Sequence, residues 1–280
     1  MYNSYFEIGK AGKEILKGRP VRSATLEVTI LMSVSCDVSK EKLLVIESDT
    51  PRYLHKKRFF SFLQRRYSGE PVAYITETKE FYSIPFYVNR NVLIPRPETE
   101  LIIDYILANK INFVKMLDLC TGSGCIPTTL NANISSTETL YGSDISSAAL
   151  KVAEKNKRIK TGSGDTYYIR SDMLDDIHLK CVDVISCNPP YIDNSELKAL
   201  NKDIIAFEPR MALDGGINGL YFYKQLARDS KKILSDNGLI IIEIGFNQFQ
   251  IVITLFSLYG FSLLYSSKDY MGFDRVLVFK

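Results

Sequence analysis

The chain predicts an α/β protein: a mostly parallel, doubly wound sheet of seven strands, preceded by a small N-terminal helical domain and a β-hairpin linker. Three observations predict it. From residue 96 onward, short apolar runs alternate with helical patterns, which is how β-α-β crossovers read in a sequence. Residues 1–69 carry helical spacing throughout. Between them, residues 70–95 ("EPVAYITETKEFYSIPFYVNRNVLIP") switch to β-branched and aromatic residues broken by turn formers. The expected division is therefore 1–69, 70–95 and 96–280.

The elements justify themselves in order. Leu16, Val21, Leu26, Val28, Leu31 and Met32 recur at near-helical spacing, and "SKEKLLVIES" opens on Ser39, a plausible helix cap. In the third segment "ETELIIDYILAN" reads as a helix, "FVKMLDL" as a strand, "GCIPTTLNANI" as a helix and "TLYGSDI" as a strand. "SSAALKVAEKNKRIK" is a helix, and "YYIRSD" and "VDVISC" are strands. "GLYFYKQLARDSKKIL" is a helix, "GLIIIEIG" a strand and "QFQIVITLFSLYG" a helix. "FSLLYSS" and "RVLVFK" complete the seven strands.

Composition narrows the function classes. At 46% hydrophobic and 24% charged, the 280 residues read as an ordinary soluble globular protein. No apolar run is long enough to span a membrane, and the first residues lack the apolar core of a secretory signal. Five cysteines without a CxxC, and only His55 and His178 beside them, argue against a metal centre or a disulfide framework and for a reducing cytoplasm. Charge is uneven. Residues 1–95 hold fifteen Lys/Arg against ten Asp/Glu, and residues 96–280 hold twenty against twenty-two. The basic excess is densest in "RYLHKKRFFSFLQRRYSG", with Lys56, Lys57, Arg65 and Arg66. Such a stretch is either a solvated helix face or a surface for an acidic partner.

In a doubly wound sheet, ligands bind beyond the carboxyl ends of the strands, at the switch of strand order. The first strand end is "LDLCTGSGC". Its Gly122 and Gly124 permit a sharp turn and close approach of a ligand, next to the free N–H groups of a helix start. The spacing is neither the dinucleotide GxGxxG nor a phosphate-binding GK[ST] loop. The second strand end places Asp144 about twenty residues later, where an acid bonds a ribose. Asp144 could instead cap the next helix, although Ser146 is better placed for that. The third offers Asp172 and Met173, the carboxylate suited to an exocyclic adenine amine. These features suit an adenosine without a triphosphate or a nicotinamide, and S-adenosylmethionine fits.

The fourth strand ends in "SCNPPYI". An amide nitrogen is a poor nucleophile because its lone pair is delocalised. The Asn188 side-chain oxygen and the Pro189 carbonyl can each accept one hydrogen of a planar NH₂ group and so aim its lone pair at a methyl donor. Pro189 and Pro190 stiffen those acceptors, and Tyr191 offers a flat face to the planar group and the approaching cation. Catalysis is then mostly positioning.

"SCNPPYI", "LDLCTGSGC", "GSDISSAAL", "LIPRPETE" and "FEPRMALDGGINGLYFY" together closely resemble the release factor glutamine methyltransferases. That family methylates the side-chain amide of the glutamine in the GGQ loop of class 1 peptide-chain release factors. The resemblance covers nearly all of residues 65–280, and residues 1–64 match in layout more than in letters. It implies the seven-stranded S-adenosylmethionine-dependent methyltransferase fold. It implies that Cys120, Thr121, Gly122, Ser123, Gly124, Asp144, Met173 and Asn188 hold the cofactor and that Asn188, Pro189, Pro190 and Tyr191 hold the glutamine. Asn188, Pro189 and Tyr191 are the catalytic set, Asp172 joins the cofactor set, and no metal is expected. It also implies an N-terminal domain that grips the release factor, which suits the basic stretch.

Three departures stand out. Cys120 replaces a frequent glycine, so the backbone there is not expected to take positive φ freely. Met173 stands where an aromatic often faces the adenine. Pro127 lies in the first turn of its helix, where a missing N–H is tolerated. The rival readings are a ribosomal-protein glutamine methyltransferase, a DNA or RNA adenine-N6 methyltransferase, and a non-catalytic translation adaptor. An adenine enzyme would flip its base and need a base-reading insertion or a basic groove. The expectation is a monomer acting on a protein, with neither a nucleic-acid substrate nor a membrane.

Overall fold

The computed structural model describes residues 3–19, 21, 23–134, 138–159 and 164–280. In chain order the first elements are α1 (Tyr5–Leu16), α2 (Ala24–Cys36), α3 (Lys40–Val45), α4 (Tyr53–Tyr67) and α5 (Val72–Ile75). Then come β1 (Thr78–Phe81), β2 (Ile84–Tyr87), α6 (Glu100–Ala108), β3 (Lys115–Leu119), α7 (Cys125–Asn133), β4 (Thr139–Asp144), α8 (Ser147–Asn156), β5 (Asp165–Arg170) and β6 (Val182–Cys187). The last are α9 (Lys202–Phe207), α10 (Tyr221–Asp229), β7 (Leu234–Glu243), α11 (Phe249–Leu258), β8 (Leu263–Lys268) and β9 (Asp274–Phe279). Packing divides them into two compact units. One runs to Glu77 and includes Asn201–Phe207; the other is Thr78–Leu200 with Glu208–Lys280.

The first unit is helical. Ser4, Ser23 and Ser39 each cap a helix by accepting from the backbone N–H of Glu7, Leu26 and Lys42. Ile8, Leu16, Leu31, Phe59 and Leu63 form its core. Arg66 on α4 is buried and donates to Glu27 at 2.7 Å, while Arg66 and Arg19 both pair with Asp203 on α9, at 3.4 and 2.5 Å. Arg65 donates twice to Glu70, at 2.8 Å each. These pairs take Arg65 and Arg66 out of the expected docking face. Arg65 and Arg66 hold the unit's own carboxylates, and of the four residues named above Lys57 is the one that is exposed. Charge density along a helix is visible in sequence, but a carboxylate 137 residues away is not.

The second unit is the sheet, in the order β5-β4-β3-β6-β7-β9-β8. Its first five strands are parallel, β9 is antiparallel to β7, and β8 is antiparallel to β9. The order reverses between β3 and β6, so the switch point lies between Leu119 and Cys187, which are register partners. Alternate residues feed two cores. Leu117, Leu119, Ile185, Ile240 and Ile242 pack with α10 and α11 on one face. Met116, Val184, Ile241 and Val278 pack with Ile102, Ile103 and Leu130 on the other.

The hairpin is shorter than expected. Residues 72–75 form one helical turn, and the strands span 78–87. Its Phe81 and Phe86 are fully buried in the second core, each burial worth about 1.5–3 kcal/mol. Strand β5 starts and ends earlier than expected, which leaves Ser171 and Asp172 in the loop beyond it. Helix α8 ends at Asn156, and the expected last residue, Lys160, lies outside the described residues. The helix expected over 219–234 is α10 followed by one tighter turn, Ser230–Lys232, and β7 begins at Leu234. Among the described residues no helix is long and apolar enough to cross a membrane.

Candidate active site

After β3 the chain must turn from a buried strand into α7 within five residues. It does so with three left-handed positions: Cys120 (φ +56), Gly122 (+53) and Gly124 (+74). At Gly124 a Cβ would collide with the Tyr168 hydroxyl, so no larger residue fits. At Gly122 the nearest atom to an added Cβ is the Cys120 carbonyl oxygen, 3.9 Å away, which leaves open space above the backbone. Cys120 overturns the expectation drawn from its side chain: it takes positive φ despite its Cβ, at a cost of about 1–2 kcal/mol. The flanking bonds hold it there. Thr121 N–H donates to the Ser143 carbonyl at 2.9 Å, and Gly122 N–H donates to Asp144 Oδ2 at 3.0 Å. Met173 is also left-handed (φ +47), and its sulfur lies 3.8 Å from that of Cys120.

Asp144 ends β4 and ties the turn together. Its second oxygen accepts from Ser146 N–H at 2.9 Å, and Ser146 Oγ in turn caps α8 by accepting from Ala149 N–H at 3.1 Å. Burial pushes the Asp144 carboxyl up, and the two N–H bonds oppose that. Each carboxylate oxygen keeps a second lone pair for a ligand hydroxyl. Beneath the turn, Asp118 is buried on β3, with one oxygen accepting from Ser186 Oγ at 2.6 Å and the other unpartnered. Burial pushes it up to about 7.

Across the switch point β6 runs into Asn188, Pro189, Pro190 and Tyr191. Asn188 Nδ2 donates to Thr99 Oγ1 at 3.0 Å, and Thr99 Oγ1 donates to Glu243 Oε2 at 2.6 Å. Tyr191 OH donates to the other oxygen of Glu243 at 3.2 Å. Glu243, the last residue of β7, is 1% exposed, and burial pushes it up to about 7. Burial also raises the Tyr191 phenol. Two further segments brace the loop. Gln248 Nε2 donates to the Tyr191 carbonyl at 3.0 Å. The backbone of 213–215 pairs with Ile192, and a Cβ on Gly215 would stand 2.7 Å from Tyr191 Cα. Arg96 donates to the buried Glu208 at 2.7 Å, joining "LIPRPETE" to "FEPRMALDGG".

One cavity of about 410 Å³ is shared by both sides. Of the residues singled out from sequence, Cys120, Gly122, Asp144, Asp172, Met173, Asn188 and Pro190 line it. Thr121, Ser123 and Gly124 are buried in the turn beneath it, and Pro189 and Tyr191 form the loop beside it. The cavity is large enough for an adenosine-bearing group. Gly122 leaves the approach open, Asp144 offers acceptors to hydroxyls, and Met173 supplies an apolar wall.

A family model for the PrmC N-terminal domain matches residues 7–76, and one for the methyltransferase small domain matches residues 97–242. The release factor glutamine methyltransferase of Thermodesulfovibrio yellowstonii is 33% identical over 266 residues, covering 92% of this chain and 94% of its own. The chain belongs to the release factor glutamine methyltransferases. The family member from Caulobacter vibrioides is likewise 33% identical, covering 96% of this chain and 93% of its own. Among solved structures, a methyltransferase from Pyrococcus furiosus superposes with a TM-score of 0.52 over 77% of this chain and 95% of that one, at 15% identity, a likeness of fold.

For a release factor glutamine methyltransferase, sequence reasoning missed four side chains. Thr99 and Arg96 in "LIPRPETE" and Glu208 in "FEPRMALDGG" owe their roles to partners more than eighty positions away. Glu243 carried a readable signal: it is a carboxylate at the end of an otherwise apolar strand, as Asp118 is nearly so on β3.

Proposed function

We propose that in this S-adenosylmethionine-dependent glutamine methyltransferase the turn Cys120–Gly124, with Asp144, Asp172, Met173 and Asn188, holds the cofactor. In the same reading Asn188, Pro189, Pro190 and Tyr191 hold the glutamine of a class 1 release factor. The carrying observation is the single cavity that has Gly122 and Asp144 on one wall and Asn188 and Pro190 on the other. S-adenosylmethionine supplies an electrophilic methyl group there. Asp144 orients it through the ribose hydroxyls, and Gly122 admits it without a side chain in the way.

Asn188 does the work on the acceptor. Its Nδ2 is spent on Thr99, so its Oδ1 is the atom free to accept a hydrogen from the glutamine NH₂. The Pro189 carbonyl accepts the other hydrogen. With both hydrogens held, the nitrogen lone pair points out of the amide plane at the methyl carbon, and the two proline rings keep the acceptors from moving away. Tyr191 walls the planar group. The nitrogen takes the methyl group as the methyl–sulfur bond breaks and a neutral thioether is left, and it then sheds one proton to water. The first unit docks the release factor, Lys57 and Arg58 being exposed cations of its basic helix. The enzyme works as a monomer in the cytoplasm, on protein and not on nucleic acid.

The test is incubation of the enzyme with labelled S-adenosylmethionine and purified class 1 release factors, followed by mapping of the label. Label on the GGQ glutamine side chain is expected. Label elsewhere, or on a ribosomal protein in preference, overturns the assignment.

A further inference from the structure

The hydroxyl of Thr99 has one hydrogen and two neighbours. Glu243 Oε2 is 2.6 Å away and Asn188 Nδ2 is 3.0 Å away. An ionised carboxylate only accepts, so the Thr99 hydrogen goes to Glu243. The Thr99 oxygen is then an acceptor, and only the NH₂ end of Asn188 can face it. Turned the other way, the Asn188 oxygen would meet an oxygen with no hydrogen to share. Thr99 and Glu243 are 3% and 1% exposed, so water does not enter to reverse the chain. Glu243 also takes the Tyr191 hydroxyl, so one carboxylate fixes both ends of the Asn188–Tyr191 loop. Arg275 draws Glu243 down only from a distance, and its own ion pair is with Asp269 at 2.7 Å. A buried carboxyl without a paired cation is costly, and its tie to Asn188 accounts for its presence.

We propose that Glu243, acting through the Thr99 hydroxyl, is the positioning residue that sets the orientation of the Asn188 amide, turning Oδ1 toward the substrate. The inference rests on the reading of Asn188 as the acceptor for the glutamine NH₂. Thr99 and Glu243 need touch neither substrate nor cofactor. They remove the flipped amide, which would present a donor to a donor and repel the glutamine. Oriented acceptors of this kind act on the transition state more than on binding.

Thr99→Val keeps the shape and deletes the hydroxyl, Thr99→Ser restores it, and Asn188→Ala is the control. In the full-length enzyme Thr99→Val should lower kcat by about tenfold or more. KM for the release factor and calorimetric affinity for S-adenosylmethionine should stay within about twofold, and Thr99→Ser should recover most of the rate. Should Thr99→Val fail to fold by circular dichroism, Thr99→Ala deletes the same hydroxyl and should show the same split. A wild-type kcat in Thr99→Val beside a crippled Asn188→Ala would sink the positioning role and leave Asn188 as the acceptor. A fully active Asn188→Ala would instead sink the reading of Asn188 itself. A rate loss that serine does not restore, matched by lost cofactor affinity, would mean a structural role and also overturn the proposal.

Discussion

Asp118 and Glu243 stand on opposite sides of the switch point, and both are 1% exposed. Both carboxyls are pushed up to about 7 by burial. They differ in what hangs from them. Asp118 holds one strand-to-strand hydroxyl, Ser186, and its other oxygen has only the Thr121 hydroxyl nearby, too poorly aligned for a full hydrogen bond. Glu243 holds two hydroxyls, and both lead to the Asn188–Tyr191 loop. The shift alone therefore does not single out a functional carboxyl; the partners do. The two halves of the cavity follow the same division. The half proposed for the cofactor is shaped by backbone, with Asp144 gripping N–H groups around left-handed residues. The half proposed for the acceptor is shaped by side-chain hydrogen bonds whose direction matters.

The largest effect belongs to the acceptor half. Asn188→Ala should cut kcat by ~100-fold or more while cofactor affinity falls much less. Single-turnover assays with a release factor would detect it, and a near wild-type rate would break the contrast between the halves. In the cofactor half, Asp144→Ala removes the grip on Gly122 and Ser146 together with the acceptors for ribose. Calorimetry should show S-adenosylmethionine binding weakened by about 1–3 kcal/mol, with a smaller change in kcat at saturation. Unchanged affinity would reduce Asp144 to a brace of the loop.

The two buried carboxyls are separated by pH. Each has a folded pKa raised above its unfolded value, so the protonated form is favoured in the fold. That stabilisation is complete below about 4, the unfolded range, and is lost as pH rises through about 7. Thermal melts of the wild type should thus show a decline from this source between about pH 4 and about 7, and none above it. Asp118→Asn and Glu243→Gln, neutral at every pH, should each flatten it. The rate profile should distinguish them. Ionised Glu243 directs the Thr99 hydrogen, so kcat should climb as pH passes about 7, and Glu243→Gln should lose that climb while Asp118→Asn keeps it. Tyr191, Glu98 and Arg275 face Glu243 and shape the same titration. Identical rate profiles for the two variants would erase the distinction.

The smallest effect is expected far from the cavity. Lys57→Glu should raise KM for the release factor about two- to fivefold, more at low salt, with cofactor affinity unchanged. Arg66→Glu, by contrast, should unfold the first unit, because Arg66 is buried against Glu27 and Asp203. Equal KM effects from the two in folded protein would restore the reading of the whole helix as a docking face.

The sequence by itself determined the strand and helix alternation, and with it which residues sit at strand ends. That was enough to place Gly122, Asp144, Met173 and Asn188 at strand ends, which the fold brings to one cavity, because periodicity and turn chemistry are local. It also carried the family, through stretches that are each short and contiguous. Tertiary structure decided what no local pattern encodes. Asn201–Phe207 packs with the first unit because Asp203 satisfies two arginines of that unit. Cys120 takes a left-handed turn because bonds from β4 hold its neighbours there. Thr99 reaches Asn188 across 89 positions and Glu243 across 144, and the direction of that hydrogen-bond chain exists only once burial has removed the water that could replace any link in it.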